Sequence, residues 1–99
     1  MNMQKLMMEA QKMQAKLQKE QAELESSTYE GTSSLVTVVI NGKKEVTSVK
    51  LNMDEDISKD DVEMLEDMIM LAMNEAVKKA DADKEKRLRK YGQGLTGLM

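Results

Sequence analysis

LVTVVINGKKEVTSVKL, residues 35–51, reads as two strands joined by a tight turn. Leu35 to Ile40 is β-branched or apolar, Asn41-Gly42 supplies the two positions at which a short hairpin needs positive φ, and Glu45 to Met53 forms the return strand. In that return strand Thr47, Val49, Leu51 and Met53 share one face, while Ser48, Lys50 and Asn52 share the other. The sheet is therefore expected to have a buried side and a wet side. Just upstream, Thr28 to Ser34 reads as a first short strand with a turn or as a loop, and the strand is the reading adopted.

Both flanks of the hairpin carry helical periodicity. Upstream, Met3, Leu6, Ala10, Met13, Leu17 and Leu24 follow an alternating three- and four-residue spacing, interrupted only at Glu20, among Gln, Lys and Glu. That is a narrow, heptad-like seam. A helix from about Asn2 to Glu25 would be on the order of 36 Å long at ~1.5 Å per residue, longer than a compact domain of this size spans, so part of it should project. Downstream, Ser58 with Asp61 three residues later has the capping-box pattern, and Asp60, Asp61 and Glu63 put negative charge where a helix start favours it. Val62, Leu65, Ile69, Ala72, Ala76 and Val77 form one stripe, and Met64, Met68, Leu71 and Met73 widen it beyond what one sheet face covers. Surplus apolar width predicts a partner surface, and the expected partner is a second copy of the chain. Leu65, Met68, Ile69, Ala72 and Met73 of this helix, with Val38 and Ile40 of the sheet, are the candidate dimer interface. The helix is expected to end near Lys90, ahead of YGQGLTGLM.

The fold class is thus α+β, with long N- and C-terminal helices flanking a short antiparallel sheet and part of the first helix projecting. Residues 1–91 read as one domain and 92–99 as a flexible Gly-rich tail. Composition agrees with a shared, soft core: Tyr29 and Tyr91 are the only aromatics, so eleven Met with Leu, Val and Ala must fill the interior.

The same composition removes most enzymatic chemistry. With no Cys and no His there is no thiolate, no imidazole base and no ordinary zinc site, and Ser and Thr lack a triad partner. Gly92, Gly94 and Gly97 spell G-x-G-x-x-G, but they follow a helix, whereas a dinucleotide loop follows a strand and opens a helix. Asp54, Asp56 and Ser58 mimic the start of a calcium loop, yet Lys59 and Leu65 occupy its Gly and bidentate-acid positions. Glu66 and Asp67 are adjacent on a helix and point apart. The chain is therefore read as a non-enzyme with no cofactor, no metal and no small-molecule substrate. Its N-terminus has no continuous apolar run and no segment approaches the ~20 residues of a membrane span, so the expected address is cytoplasmic.

The net charge of -3 hides a segregation. Residues 54–67 hold eight acids and one Lys, a balance of -7; residues 78–90 hold seven bases and three acids, +4; residues 5–19 hold four Lys and one Glu, +3. A charged partner meets one of these surfaces and not the average. Ordinary solvated helix faces, with acids at a helix start and bases at its end, are the competing explanation.

The order of parts, a Gln- and Met-rich helix, then LVTVVINGKKEVTSVKL, then EMLEDMIMLAMNEAVKK, resembles the YbaB/EbfC family of bacterial nucleoid-associated proteins. The resemblance covers about residues 4–88. It rests on Leu6, Ala10, Met13 and Leu17, on Val36, Val38, Asn41, Gly42 and Val49, and on Met64 to Asp67 with Asn74, Glu75 and Ala76. It implies an α-β-β-β-α subunit, a homodimer with tweezer-like arms, and binding of double-stranded DNA in the nucleoid. Family members often carry Gly where this chain has Ser33 and Ser34, and many end in Gly, Met and Pro, a Pro this tail lacks.

On that basis Lys5, Lys12, Lys16 and Lys19 of the first helix, and Lys78, Lys79, Lys84, Lys86, Arg87, Arg89 and Lys90 of the second, are the candidate phosphate contacts. Such contacts position a duplex without reading its sequence, and the lack of an aromatic stacking set beside these bases disfavours single-strand recognition. The alternative is a dimeric protein-interaction scaffold that uses the same helices without DNA.

Overall fold

Asn2 starts the first helix: its side-chain Oδ1 accepts from the backbone N–H of Gln4 at 3.1 Å and of Lys5 at 3.4 Å. The structure is a computed structural model and describes residues 2–89. Helix α1 spans Met3–Ser26, strands β1, β2 and β3 span Thr28–Ser33, Val36–Asn41 and Val46–Leu51, and α2 spans Val62–Arg89 after a 3₁₀ turn at Lys59–Asp61. The expected helix end at Lys90 and the tail at 92–99 lie outside the described residues.

The strands form an antiparallel meander in the order β1-β2-β3. The β1–β2 turn holds Ser34 at φ 50, the left-handed region that explains why a glycine suits this turn. The β2–β3 hairpin is where residues 35–51 placed it, but its turn differs from the expected one. Asn41 remains in the strand, with its N–H donating to the Glu45 carbonyl at 3.0 Å, and the positive φ falls on Lys44 at 64. The reason lies in the Asn41 side chain. Its Oδ1 accepts from the N–H groups of Lys43 at 2.9 Å and Glu45 at 3.0 Å, which holds a three-residue loop in place of a two-residue one.

A bulge then alters the parity of β3. Val39 pairs with Ser48 but Ile40 pairs with Val46, so Thr47 is the extra residue, and its hydroxyl donates to the Val39 carbonyl. Val46, Val49 and Leu51, opposite Ile40, Val38 and Val36, share the inner face, with Val46 in the place expected for Thr47.

Ser58 donates from its backbone N–H and its hydroxyl to the Asp61 carboxylate, at 2.9 and 3.1 Å, fixing the approach to α2. Helix α2 then lies over β1 and β2. Leu65, Ala72, Ala76 and Ala80 of the helix meet Val36, Val38 and Ile40 of the sheet to form the core. The fit is close because both sides are small: a Cβ on Gly31 would stand 1.9 Å from the Ala72 carbonyl oxygen and 2.6 Å from the Ala76 nitrogen. At the other end of the sheet, a Cβ on Gly42 would stand 1.7 Å from the Leu24 carbonyl oxygen, where α1 ends against the hairpin.

Two expectations about burial change. Helix α2 does not extend across β3, so that strand is exposed along its whole length and the inner face at Val46, Val49 and Leu51 is open. Conversely, Leu65, Ala72, Val38 and Ile40, candidates for the dimer interface, are buried within one protomer, with Met68, Ile69 and Met73 partly buried around them. Meanwhile α1 touches the body only near its C-terminal end; Leu24 is its one buried residue among those described. The radius of gyration is 19.9 Å and the extents are 72 × 20 × 14 Å, against about 13 Å for a compact chain of this length. The long first helix therefore projects, as its length predicts.

Candidate nucleic-acid interface

Lys5, Lys12 and Lys19 recur every seventh residue of α1, which places them on one face about 10 Å apart. All three are exposed, as is Lys16. On α2, Lys78, Lys84 and Lys86 are exposed, and among the described residues none of them is in an ion pair. The other cations of that helix are engaged. The Lys79 ammonium donates to the Glu30 carbonyl at 2.8 Å and lies 3.3 Å from Glu75, and Arg89 pairs with Glu85 at 2.7 Å. Lys90 lies outside the described residues.

Arg87 has a different task from the one its charge suggests. Its Nη1 lies 3.0 Å from Glu20 and 3.5 Å from Glu23 on α1, and its Nε lies 2.9 Å from Asp83, one turn back on α2. Its Nη2 also reaches the Ser27 hydroxyl at 3.4 Å. One guanidinium thus ties the root of α1 to the last turns of α2, above an apolar cleft whose lining includes Leu17, Leu24 and Leu88. The hydrogen bond to Asp83, then that to Glu20, hold Arg87 firmly in its charged form.

Tyr29 completes this junction by donating its hydroxyl to Asp83. Burial first, and then the Asp83 carboxylate beside it, raise the phenol above 10.0. The bonds from Tyr29 and Arg87 lower the Asp83 carboxyl below 3.8. The signs are opposite in consequence. Stability from the raised phenol is present below pH 10 and lost as pH rises through its folded value; stability from the lowered carboxyl is present above about pH 4 and lost as pH falls through its folded value. In a Tyr91→Phe background, phenolate absorbance is expected to give Tyr29 a midpoint above 10 that falls toward the ordinary value in Asp83→Asn, with the share due to burial remaining. A Tyr29 midpoint at or below 10 with Asp83 intact would contradict the contact.

The hairpin adds cations that helix periodicity does not reveal. Lys43 and Lys44 share a cleft with Lys84, lined also by Gln21, Leu24, Glu25, Gly42 and Ala80. Lys44 is spent on Asp81 at 2.6 Å, whereas Lys43 has no carboxylate partner among the described residues. The GKK of residues 42–44 is the sequence signal for them, one that a helix-based count of charge passes over because it lies in a turn. The acids of residues 54–67 sit around the start of α2, about 40 Å along that 28-residue helix from its basic end.

The family model described as the YbaB/EbfC DNA-binding family matches residues 1–95. A nucleoid-associated protein of Clostridium botulinum strain Hall is 44% identical over 101 residues, covering 98% of this chain and 88% of that protein. A nucleoid-associated protein of Agathobacter rectalis is 43% identical over 98 residues, covering 97% of this chain and 86% of its own length. Among the described residues no helix is long and apolar enough to cross a membrane.

Proposed function

Since the chain belongs to the YbaB/EbfC DNA-binding family, we propose that it binds double-stranded DNA in the bacterial nucleoid as a homodimer, gripping the phosphate backbone with little preference for sequence. The observation that carries this reading is the separation of charge along a 72 Å molecule. Lys5, Lys12 and Lys19 on α1, Lys43 on the hairpin and Lys78, Lys84 and Lys86 on α2 form a cationic half. The acids that make the whole chain negative gather at the start of α2, away from it. Local charge attracts phosphate even when net charge is negative. Arg87 is left out of the set because three carboxylates already hold it.

The dimer is supported by the half-covered sheet. Val46, Val49 and Leu51 are between 39% and 49% exposed on the inner face of β3, beside the helix that covers β1 and β2. A second copy related by a two-fold axis can close this face with the same residues of its own, since such an interface is self-complementary. Two cationic arms then point outward from a common sheet core.

Titration of labelled duplex DNA at several salt concentrations tests the reading. Four to six phosphate contacts predict a log-log slope of about -3.5 to -5.5, at about -0.9 per contact. Binding should change little between unrelated duplex sequences, because phosphate contacts carry no base information. No binding at low salt would favour the interaction-scaffold reading.

A further inference from the structure

Two apolar stripes stay open to solvent at opposite ends of the molecule, and they carry opposite charge. On the projecting half of α1, Met3, Leu6 and Met13 are 73%, 49% and 45% exposed, along the seam whose spacing suits packing against another helix. That half carries the +3 balance of residues 5–19. At the start of α2, Met64 and Leu71 are 41% and 54% exposed. Met64, Asp67 and Leu71 follow the three-four spacing of a single helix face, and Asp60 lies just ahead of it in the 3₁₀ turn, all inside or next to the segment with the -7 balance.

We propose that the α1 arm of one molecule docks on this acidic shoulder of another copy, with the methionine seam against Met64 and Leu71 and the lysines toward Asp60 and Asp67. Charge selects this occupant. Arm against arm opposes two positive surfaces, shoulder against shoulder opposes two strongly negative ones, and only arm against shoulder is attractive. Methionine suits such a contact because its unbranched side chain fills an irregular surface without a fixed shape.

The two patches are different surfaces, so the contact is heterologous and leaves an unused arm at one end and an unused shoulder at the other. It does not use the inner face of β3. A copy seated on β3 keeps its own shoulder near the sheet, whereas the arm tip lies at the far end of a 72 Å body. An arm therefore engages a further molecule, and the consequence is head-to-tail growth that screening by salt reverses. Lysines used in this contact are also proposed DNA ligands, so arm docking and duplex binding compete for Lys5 and Lys12.

The test uses the full chain without DNA, by sedimentation velocity over a concentration series at about 0.1 M and about 1 M salt, where the screening length falls from ~10 Å to ~3 Å. The weight-average mass at the lower salt is expected to be at least about twofold that at the higher salt, where unlike patches no longer attract. K5E/K12E and D60K/D67K should each remove the salt-dependent species, and the four substitutions in one chain should restore it. A single species at every concentration and salt overturns the proposal. So does assembly that survives either charge reversal, including survival in D60K/D67K with loss in Leu6→Ser/Met13→Ser, which would mean that arms pair with arms. Circular dichroism confirms that each variant is folded, and K5E/K12E, altered only on the projecting arm, keeps the test intact should D60K/D67K fail to fold. The mass at high salt reads the β3 dimer separately, so its failure and that of arm docking are distinguishable.

Discussion

Gly31→Val is expected to destabilise the fold by about 3 kcal/mol or more, at or above the upper end of ordinary overpacking. The obstruction is backbone: a Cβ at this position would meet the Ala72 carbonyl oxygen at 1.9 Å and the Ala76 nitrogen at 2.6 Å. No rotamer change clears a main-chain atom. Helix α2 must lift from β1, and in lifting it uncovers Val36, Val38 and Ile40, the largest fully buried side chains. Small domains hold about 5–15 kcal/mol in all, so the loss is a large share of the total. Gly31→Ala should already show most of the effect, since the clash begins at Cβ. Ser33→Ala, on the same strand, should stay within about 0.5 kcal/mol. Urea denaturation followed by circular dichroism checks the series, and a Gly31→Val midpoint within error of the parent would show that helix and strand are not in this contact.

Val49→Asp is expected to convert the proposed dimer into monomer. Val49 stands at the centre of the uncovered inner face, opposite Val38, and is 49% exposed in one protomer. Within the protomer an Asp there remains solvated, and the cost is a modest loss of strand preference, under about 1 kcal/mol. In a two-fold interface each substitution occurs twice, burying two carboxylates without partners at several kcal/mol in total. Dimer affinity should fall by about 10³-fold or more, since each 1.4 kcal/mol is tenfold. Light scattering should then give 11.2 kDa in place of twice that mass, with helicity retained. A dimer of unchanged affinity would move the interface elsewhere.

The hairpin and the start of α2 are legible because their signals are local. A β-branched apolar run marks β2, alternation marks β3, and Ser58 with Asp61 marks the approach to α2. What escaped depends on residues far apart in the chain. Gly31 reads as an ordinary strand residue until Ala72 and Ala76 are laid on it, although the four-residue spacing of Ala72, Ala76 and Ala80 was a sign that something comes close. The bulge at Thr47 reverses a face by one residue and has no signature in an alternating pattern. Charge alone grouped Arg87 with the phosphate-binding cations, and only the fold brings Glu20 and Glu23 to it across more than sixty residues. Leu65 and Ala72 were assigned to a dimer surface because a wide apolar helix does not disclose which part of its width the protomer's own sheet takes.

The most direct measurement of the central claim, that a separated cationic half lets an acidic chain hold duplex DNA, is the salt dependence of binding for Lys5→Ala/Lys12→Ala/Lys19→Ala beside the parent. These three lysines line one face of α1 and make no ion pair among the described residues, so their removal leaves the Arg87 junction in place. The account predicts weaker binding at every salt concentration and a log-log slope shallower by about 0.9 for each phosphate that no longer meets a lysine, with the dimer intact. An unchanged slope and affinity would contradict it.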